Sequence, residues 1–99
     1  MLAYVDSNGR SIIAYNEKSQ PISKMSDSDF RILGVGSDFF VVSDRHHIRT
    51  FDDGCKPIAK LSEANFEGVI VAGQTFTVNF GRVIVTFDAN CKELSKRRP

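Results

Sequence analysis

The chain has 99 residues, of which 41% are hydrophobic and 25% are charged, as in an ordinary folded domain and unlike a disordered chain. No apolar run approaches the roughly 18 residues that a membrane span needs. The first residues lack the basic and apolar segments of a secretory signal. These features predict one cytoplasmic domain, 1–99, with no membrane partner.

The formal net charge of +1 is unevenly distributed. The last eight residues hold four cations against Glu93, a net +3, so the preceding residues carry −2. Clustered cations attract phosphate, but short basic termini are usually solvated. We therefore expect a short basic tail at 96–99, and we do not expect nucleic acid as a partner.

A period of 36 residues runs through the chain. Matching residues 36 positions apart include Ile12 and Ile48, Pro21 and Pro57, Phe30 and Phe66, Thr50 and Thr86, Phe51 and Phe87, and Cys55 and Cys91. A period of this length is typical of repeat architectures. The sequence predicts three internal repeats, at about 3–38, 39–74 and 75–96.

Each repeat is predicted to reverse direction twice. Asn8-Gly9, between two apolar runs, predicts a type I′ hairpin turn, and the period places equivalent turns at 43–46 and 79–82. Turn-forming residues recur after each central strand, beginning at Asn16, Asp52 and Asp88. These turns predict antiparallel strands throughout.

The strand count follows from what flanks these turns. Pro21 and Pro57 begin the segments after the second turns and indicate edge strands. Continuous apolar runs at 32–36 and 69–73 suit strands buried on both faces. The predicted order is three strands followed by two sets of four, with at most one helical turn in the polar links.

The stretch from Gly36 to Val42, followed by Ile48 to Ile58, resembles the strand-turn-strand pattern of β-propeller blades with a recurring I-x-x-F-D-x-x-G-K-x-I theme. The resemblance implies an all-β fold of about three 36-residue antiparallel sheet repeats. Closed propellers have four to eight blades, so three repeats favour a two-fold homodimer. The alternative is a pseudo-threefold β-barrel or sandwich.

Cys55 and Cys91 occupy one repeat position. Equivalent positions in adjacent packed sheets lie about 10 Å apart, too far for a disulfide. We expect two free thiols, and we expect neither a metal nor another cofactor, because neither cysteine has a close cysteine or histidine partner.

Aligned turns place three cationic side chains at one rim of such a ring, and the middle repeat adds a polar cluster. The predicted binding residues are Arg10, Asp44, Arg45, His46, His47 and Arg82. Guanidinium groups and protonated histidine bind phosphate or carboxylate. The rim therefore predicts an anionic small molecule or a protein as partner.

These observations favour a small non-enzymatic binding or assembly module. One alternative is a small hydrolase that uses the region of Asp44, His46 and His47, the set that could act as acid and base. Adjacent residues of a strand point to opposite faces, which weakens that alternative, and no catalytic residue is assigned. The other alternative is a purely structural subunit.

Overall fold

The computed structural model describes residues 2–26, 30–44, 47–62 and 65–98. These residues form 11 strands and no helix. The strands are β1 (Leu2–Ser7), β2 (Ser11–Asn16), β3 (Pro21–Ser26), β4 (Arg31–Val35), β5 (Phe39–Ser43), β6 (Ile48–Asp52), β7 (Pro57–Leu61), β8 (Gly68–Ala72), β9 (Thr75–Asn79), β10 (Ile84–Asp88) and β11 (Glu93–Arg97). The described part therefore holds no helix of the length and apolarity that a membrane crossing requires.

The strands form three antiparallel sheets. The first sheet has the order β1-β2-β3, the middle sheet β4-β5-β6-β7, and the last sheet β8-β9-β10-β11. The prediction of an all-β chain with three, four and four strands is confirmed, as is the edge position of the strands that begin at Pro21 and Pro57. None of these described sheets closes on itself, so the barrel form of the alternative is wrong for this part of the chain.

The middle sheet lies between the other two and is covered on both faces. Alternate residues of a strand point to opposite faces. Phe39 and Val41 accordingly join the core with the last sheet, whereas Phe40 and Val42 join the core with the first sheet. All five residues of β5 are buried. The continuous apolar run of this strand follows from cover on both sides.

The first turn of the first sheet differs in register from the prediction. The N–H of Asn8 donates to the Ser11 carbonyl at 3.1 Å, and only Gly9 has positive φ, at 88°. A type I′ turn needs positive φ at both central residues, so that prediction is wrong for Asn8-Gly9. The Asn8 side chain explains the shift, because its Oδ1 accepts hydrogen bonds from the N–H groups of Arg10 and Ser11.

The second turn of each sheet contains a left-handed residue that is not glycine. Ser19, Cys55 and Cys91 have φ values of 60°, 60° and 59° and are spaced 36 residues apart. Each N–H donates a 3.0 Å hydrogen bond to the carbonyl three residues earlier. A tight turn ending in a left-handed residue is a common hairpin connection. Both cysteines are free, as predicted.

Candidate functional site

The predicted polar cluster is centred on Asp44, just after β5. Its Oδ1 accepts a 2.7 Å hydrogen bond from the His47 N–H, and its Oδ2 accepts a 3.0 Å bond from Nε of Arg49. Arg49 also lies 5.9 Å from the ring centre of Phe30. The carboxylate therefore connects the end of β5 to the start of β6 and holds an arginine in place.

The two predicted arginines that the structure describes lie in the turns of different sheets. Arg45 and His46 lie outside the described residues. Arg10 and Arg82 are exposed in the first turns of the outer sheets, with the middle sheet between them. Among the four predicted residues that the structure describes, Asp44 and His47 are brought together, with Nδ1 of His47 3.6 Å from Oδ1 of Asp44. The anion-binding rim stays a prediction.

A metal site would need several donor side chains gathered at one point. Within 2–26, 30–44, 47–62 and 65–98, no group of three or more His, Cys, Asp or Glu side chains is placed to hold a metal ion. The Asp44 cluster contributes one carboxylate and one imidazole, and Arg49 already occupies the carboxylate. The geometry of the Asp44 cluster suits a structural link between β5 and β6.

A stacked aromatic pair recurs in every sheet. Its members are Phe40 and Phe51 in the middle sheet, Phe76 and Phe87 in the last sheet, and Tyr4 and Tyr15 in the first sheet. The ring centres lie 5.5, 5.3 and 4.6 Å apart, with interplanar angles of 16°, 25° and 14°. The two phenylalanine pairs are buried against the preceding sheet. None of the described sheets covers the tyrosine pair on this side, and Tyr4 is 41% exposed.

The Tyr4 face is the outer face of the first sheet, directed away from the middle sheet. Ile12 and Ala14 of this sheet point into the core, so Ile13 and Tyr15 point outward. Residues directly opposite on paired strands share a face, which adds Tyr4, Asp6 and Lys24. This surface is aromatic and aliphatic at its centre, with Asp6 exposed beside it.

The Thr86 face is the outer face of the last sheet, at the other end of the stack. Its neighbours in sequence point into the core, and its members are Ile70, Thr77, Ile84, Thr86, Ser95 and Arg97. Ile70 is 72% exposed. The hydroxyl oxygens of Thr77 and Thr86 lie 3.0 Å apart and share a hydrogen bond. This surface combines aliphatic side chains with hydroxyl groups.

A hydrogen bond from a side-chain hydroxyl to a turn carbonyl recurs between adjacent sheets. The Ser23 hydroxyl of the first sheet donates to the Asp53 carbonyl of the middle sheet at 2.5 Å. The Thr50 hydroxyl of the middle sheet donates to the Ala89 carbonyl of the last sheet at 2.7 Å. Asp53 and Ala89 lie 36 residues apart in equivalent turns. Each internal interface therefore carries a hydroxyl-to-turn-carbonyl bond.

These hydroxyls come from one cross-strand position. Ala14 lies opposite Ser23, Thr50 opposite Ala59, and Thr86 opposite Ser95. The first two pairs each supply one hydroxyl, and the pair on the Thr86 face supplies two. The open end of the stack thus carries the donor group that both internal interfaces use.

Sequence reasoning did not single out these two faces. The repeated aromatic positions predict core residues, which is correct for the four phenylalanines and wrong for the exposed Tyr4. The type of aromatic residue could have indicated the difference in exposure. Tyrosine replaces phenylalanine at both positions of the first repeat, and a phenolic hydroxyl suits a partly wet site.

Comparison of the sequence with models of protein families finds no match, and comparison with curated proteins finds none either. Function must therefore be inferred from these surfaces.

Proposed function

We propose that this chain is a non-enzymatic assembly module whose three sheets are propeller-like blades, completed by a second copy of the chain. The observation that carries the proposal is the exposed Tyr4–Tyr15 stack. Its two counterparts, 36 and 72 residues later, are both buried under a neighbouring sheet. A surface built like two internal interfaces, but left open, fits a further sheet of the same kind.

The two ends of the stack differ, so the contact joins unlike surfaces. The Tyr4 face of one copy meets the Thr86 face of the other, and a two-fold axis generates the same contact a second time. Two chains then form a ring of six sheets with no sheet face left open. Without closure, the same contact would produce an open filament.

The solution mass tests this proposal. Light scattering after size-exclusion chromatography, over a wide range of concentrations, is expected to give the mass of two chains. Replacing Tyr4 with lysine should lower that mass to one chain, because burial of an unpaired ammonium group strongly disfavours association. Ile22→Lys is the matched control, since Ile22 has a similar exposure of 44% but lies on the edge strand β3.

Three outcomes count against the proposal. A monomer at every concentration removes self-assembly, and a concentration-dependent ladder of sizes removes ring closure. If Tyr4→Lys and Ile22→Lys behave alike, the Tyr4 face is not the contact. Circular dichroism of each variant must match the wild type, so that loss of assembly is not loss of fold.

A second binding proposal concerns Arg82. This residue lines an open cleft of about 900 Å³ between the middle and last sheets, together with Lys96, Ser62 and Asn65. Two cations and two polar groups favour an anion, and Glu93 in the same cleft opposes it. Calorimetric titration with inorganic phosphate tests the idea. Binding by the wild type that Arg82→Ala abolishes supports it, whereas equal heats for the two proteins contradict it.

A further inference from the structure

We infer that the Thr86 face of one copy docks on the Tyr4 face of another in the register of the two internal interfaces, with Arg97 against Asp6 and the hydroxyls of Thr86 and Ser95 against the carbonyl of Glu17. The inference rests on the proposed function and specifies its partner surface. Both charged side chains are exposed in the single chain.

The charges at the two ends are complementary. Position 97 is equivalent to Leu61 and Met25, and position 6 is equivalent to Val42 and Val78. Met25 and Val42 lie in one internal core, and Leu61 and Val78 lie in the other. Both positions are therefore apolar wherever an interface lies within the chain. At the open ends they are Arg97 and Asp6, an opposite pair that fits one register and penalises others.

The polar groups of the two ends also match. In each internal interface one hydroxyl donates to the carbonyl of the first residue after the strand end, Asp53 or Ala89. The equivalent residue of the first sheet is Glu17, in the exposed turn after β2. The Thr86 face offers two hydroxyls for this carbonyl. The same hydrogen bond can therefore form a third time, between copies.

Ile70 indicates that the docking sheet has three strands. Gly34 lies opposite Val41, and Ile70 lies opposite Thr77, which is the equivalent position in the last sheet. A β-carbon on Gly34 would lie 2.5 Å from Cγ2 of Val71, so glycine makes room for the neighbouring inner strand β8. The exposed Ile70 fills that space on the Thr86 face. A neighbour without an inner strand fits there, and among the described residues the first sheet contains no counterpart of β4.

Charge reversal with mixing tests the register. Asp6→Arg alone and Arg97→Asp alone each place like charges in both contacts of the ring. Each is expected to raise the dimer dissociation constant by about tenfold or more. An equimolar mixture of the two variants joins opposite charges in both contacts and is expected to recover the wild-type dimer mass. Lys56→Asp, in the exposed β6–β7 turn, controls for the change in net charge of Arg97→Asp.

The outcomes separate the register from the assembly itself. The register is supported if each single variant dimerises weakly and the mixture dimerises like the wild type. Misfolding does not explain that result, because mixing two misfolded chains would not restore the dimer. If both single variants dimerise as the wild type does, or if the mixture stays monomeric, the register is overturned. The Tyr4→Lys result still decides self-assembly in that case. A wild-type monomer overturns both proposals.

The contact of the Thr86 and Ser95 hydroxyls with the Glu17 carbonyl is tested separately. Thr86→Val and Ser95→Ala should each leave the dimer dissociation constant within about twofold, because one hydroxyl suffices in each internal interface. The double variant should raise the constant by about tenfold, because a buried carbonyl then lacks its donor. A double variant that dimerises like the wild type would contradict this contact while leaving the charge pairing to its own test.

Discussion

The hydroxyl of Thr50 lies 2.7 Å from the carbonyl oxygen of Ala89, and this hydrogen bond joins the middle sheet to the last sheet. Thr50 is fully buried. A buried carbonyl that loses its donor keeps the full cost of desolvation. Removing the Thr50 hydroxyl should therefore cost more stability than the net energy of one hydrogen bond.

Thr50→Val should lower the free energy of unfolding by about 1–3 kcal/mol, because valine has the same shape but leaves the Ala89 carbonyl unsatisfied. Thr50→Ser keeps the hydroxyl and should lose about 1 kcal/mol for the removed methyl group. Urea unfolding of both variants checks the order. Thr75→Val is the control, since the Thr75 hydroxyl bonds only within its own turn, to the Ala72 carbonyl at 3.3 Å. Equal losses for valine at positions 50 and 75 would contradict a special role for the link between sheets.

Gly34→Ala should destabilise the contact between β4 and β8. The added methyl group would lie 2.5 Å from Cγ2 and 2.9 Å from Cβ of Val71, so one strand must shift. Overpacking of this kind costs about 1–3 kcal/mol. Gly68→Ala is the matched control, because a β-carbon there meets no heavy atom within 4 Å. The difference in urea midpoint between the two alanine variants measures the effect, and a smaller loss at Gly34 than at Gly68 would rule out the close approach.

Val71→Ala provides a second check on the same contact. In the Gly34→Ala background it removes the clashing Cγ2 methyl group, although Cβ of residue 71 stays close, so it should recover part of the lost stability. Alone, it destabilises by opening space in the core. A double-mutant cycle therefore should show a favourable coupling energy. If the two changes in the free energy of unfolding are strictly additive, the loss in Gly34→Ala does not come from the contact with Val71.

Ser19→Gly should raise the free energy of unfolding by up to about 1 kcal/mol, because Ser19 has a φ of 60° and glycine tolerates that conformation without a steric cost. Ser19 is exposed, so no packing is lost. Cys91→Gly relieves the same backbone strain at φ 59° but removes a thiol packed against the core. Thermal unfolding should show a gain for the first variant and none for the second. A gain at Cys91 comparable to that at Ser19 would show that the thiol contributes little to packing.

Periodicity in the sequence was sufficient to predict the strands. Ile12, Ile48 and Ile84 recur at one spacing, and local alternation and turn residues specify the hairpins around them. The cover of each sheet depends on its neighbours in the stack, which no local pattern records. Tyr4 and Phe40 hold equivalent positions, and they differ in exposure because the first sheet lies over Phe40 whereas none of the described sheets lies over Tyr4.

The candidate site likewise has one part that the local sequence predicts and another that depends on contacts between strands and sheets. A polar cluster around Asp44 could be predicted, because its residues are close in the chain. The structural role of Asp44 depends on the pairing of β5 with β6, which brings Arg49 to the carboxylate. The hydroxyls of Thr86 and Ser95 were missed because serine and threonine are common on strands, and their significance rests on two hydrogen bonds between sheets.

Burial raises the pKa of the Cys91 thiol above its ordinary value of 9.0; the hydrogen bond with Thr50 lowers it, and the charge of Asp88 raises it further. The unfolded chain ionises near the ordinary value, so this group leaves stability intact below about pH 9 and reduces it as pH rises through the higher folded pKa. In a Cys55→Ser background, alkylation of Cys91 should therefore reach half its maximal rate at a higher pH than alkylation of a free cysteine peptide, because the thiolate is the nucleophile. Thr50→Val removes the bond that lowers the pKa and should move the midpoint higher still. A midpoint at or below that of the peptide would show that the Cys91 thiol is not desolvated by the packing of the last sheet against the middle sheet.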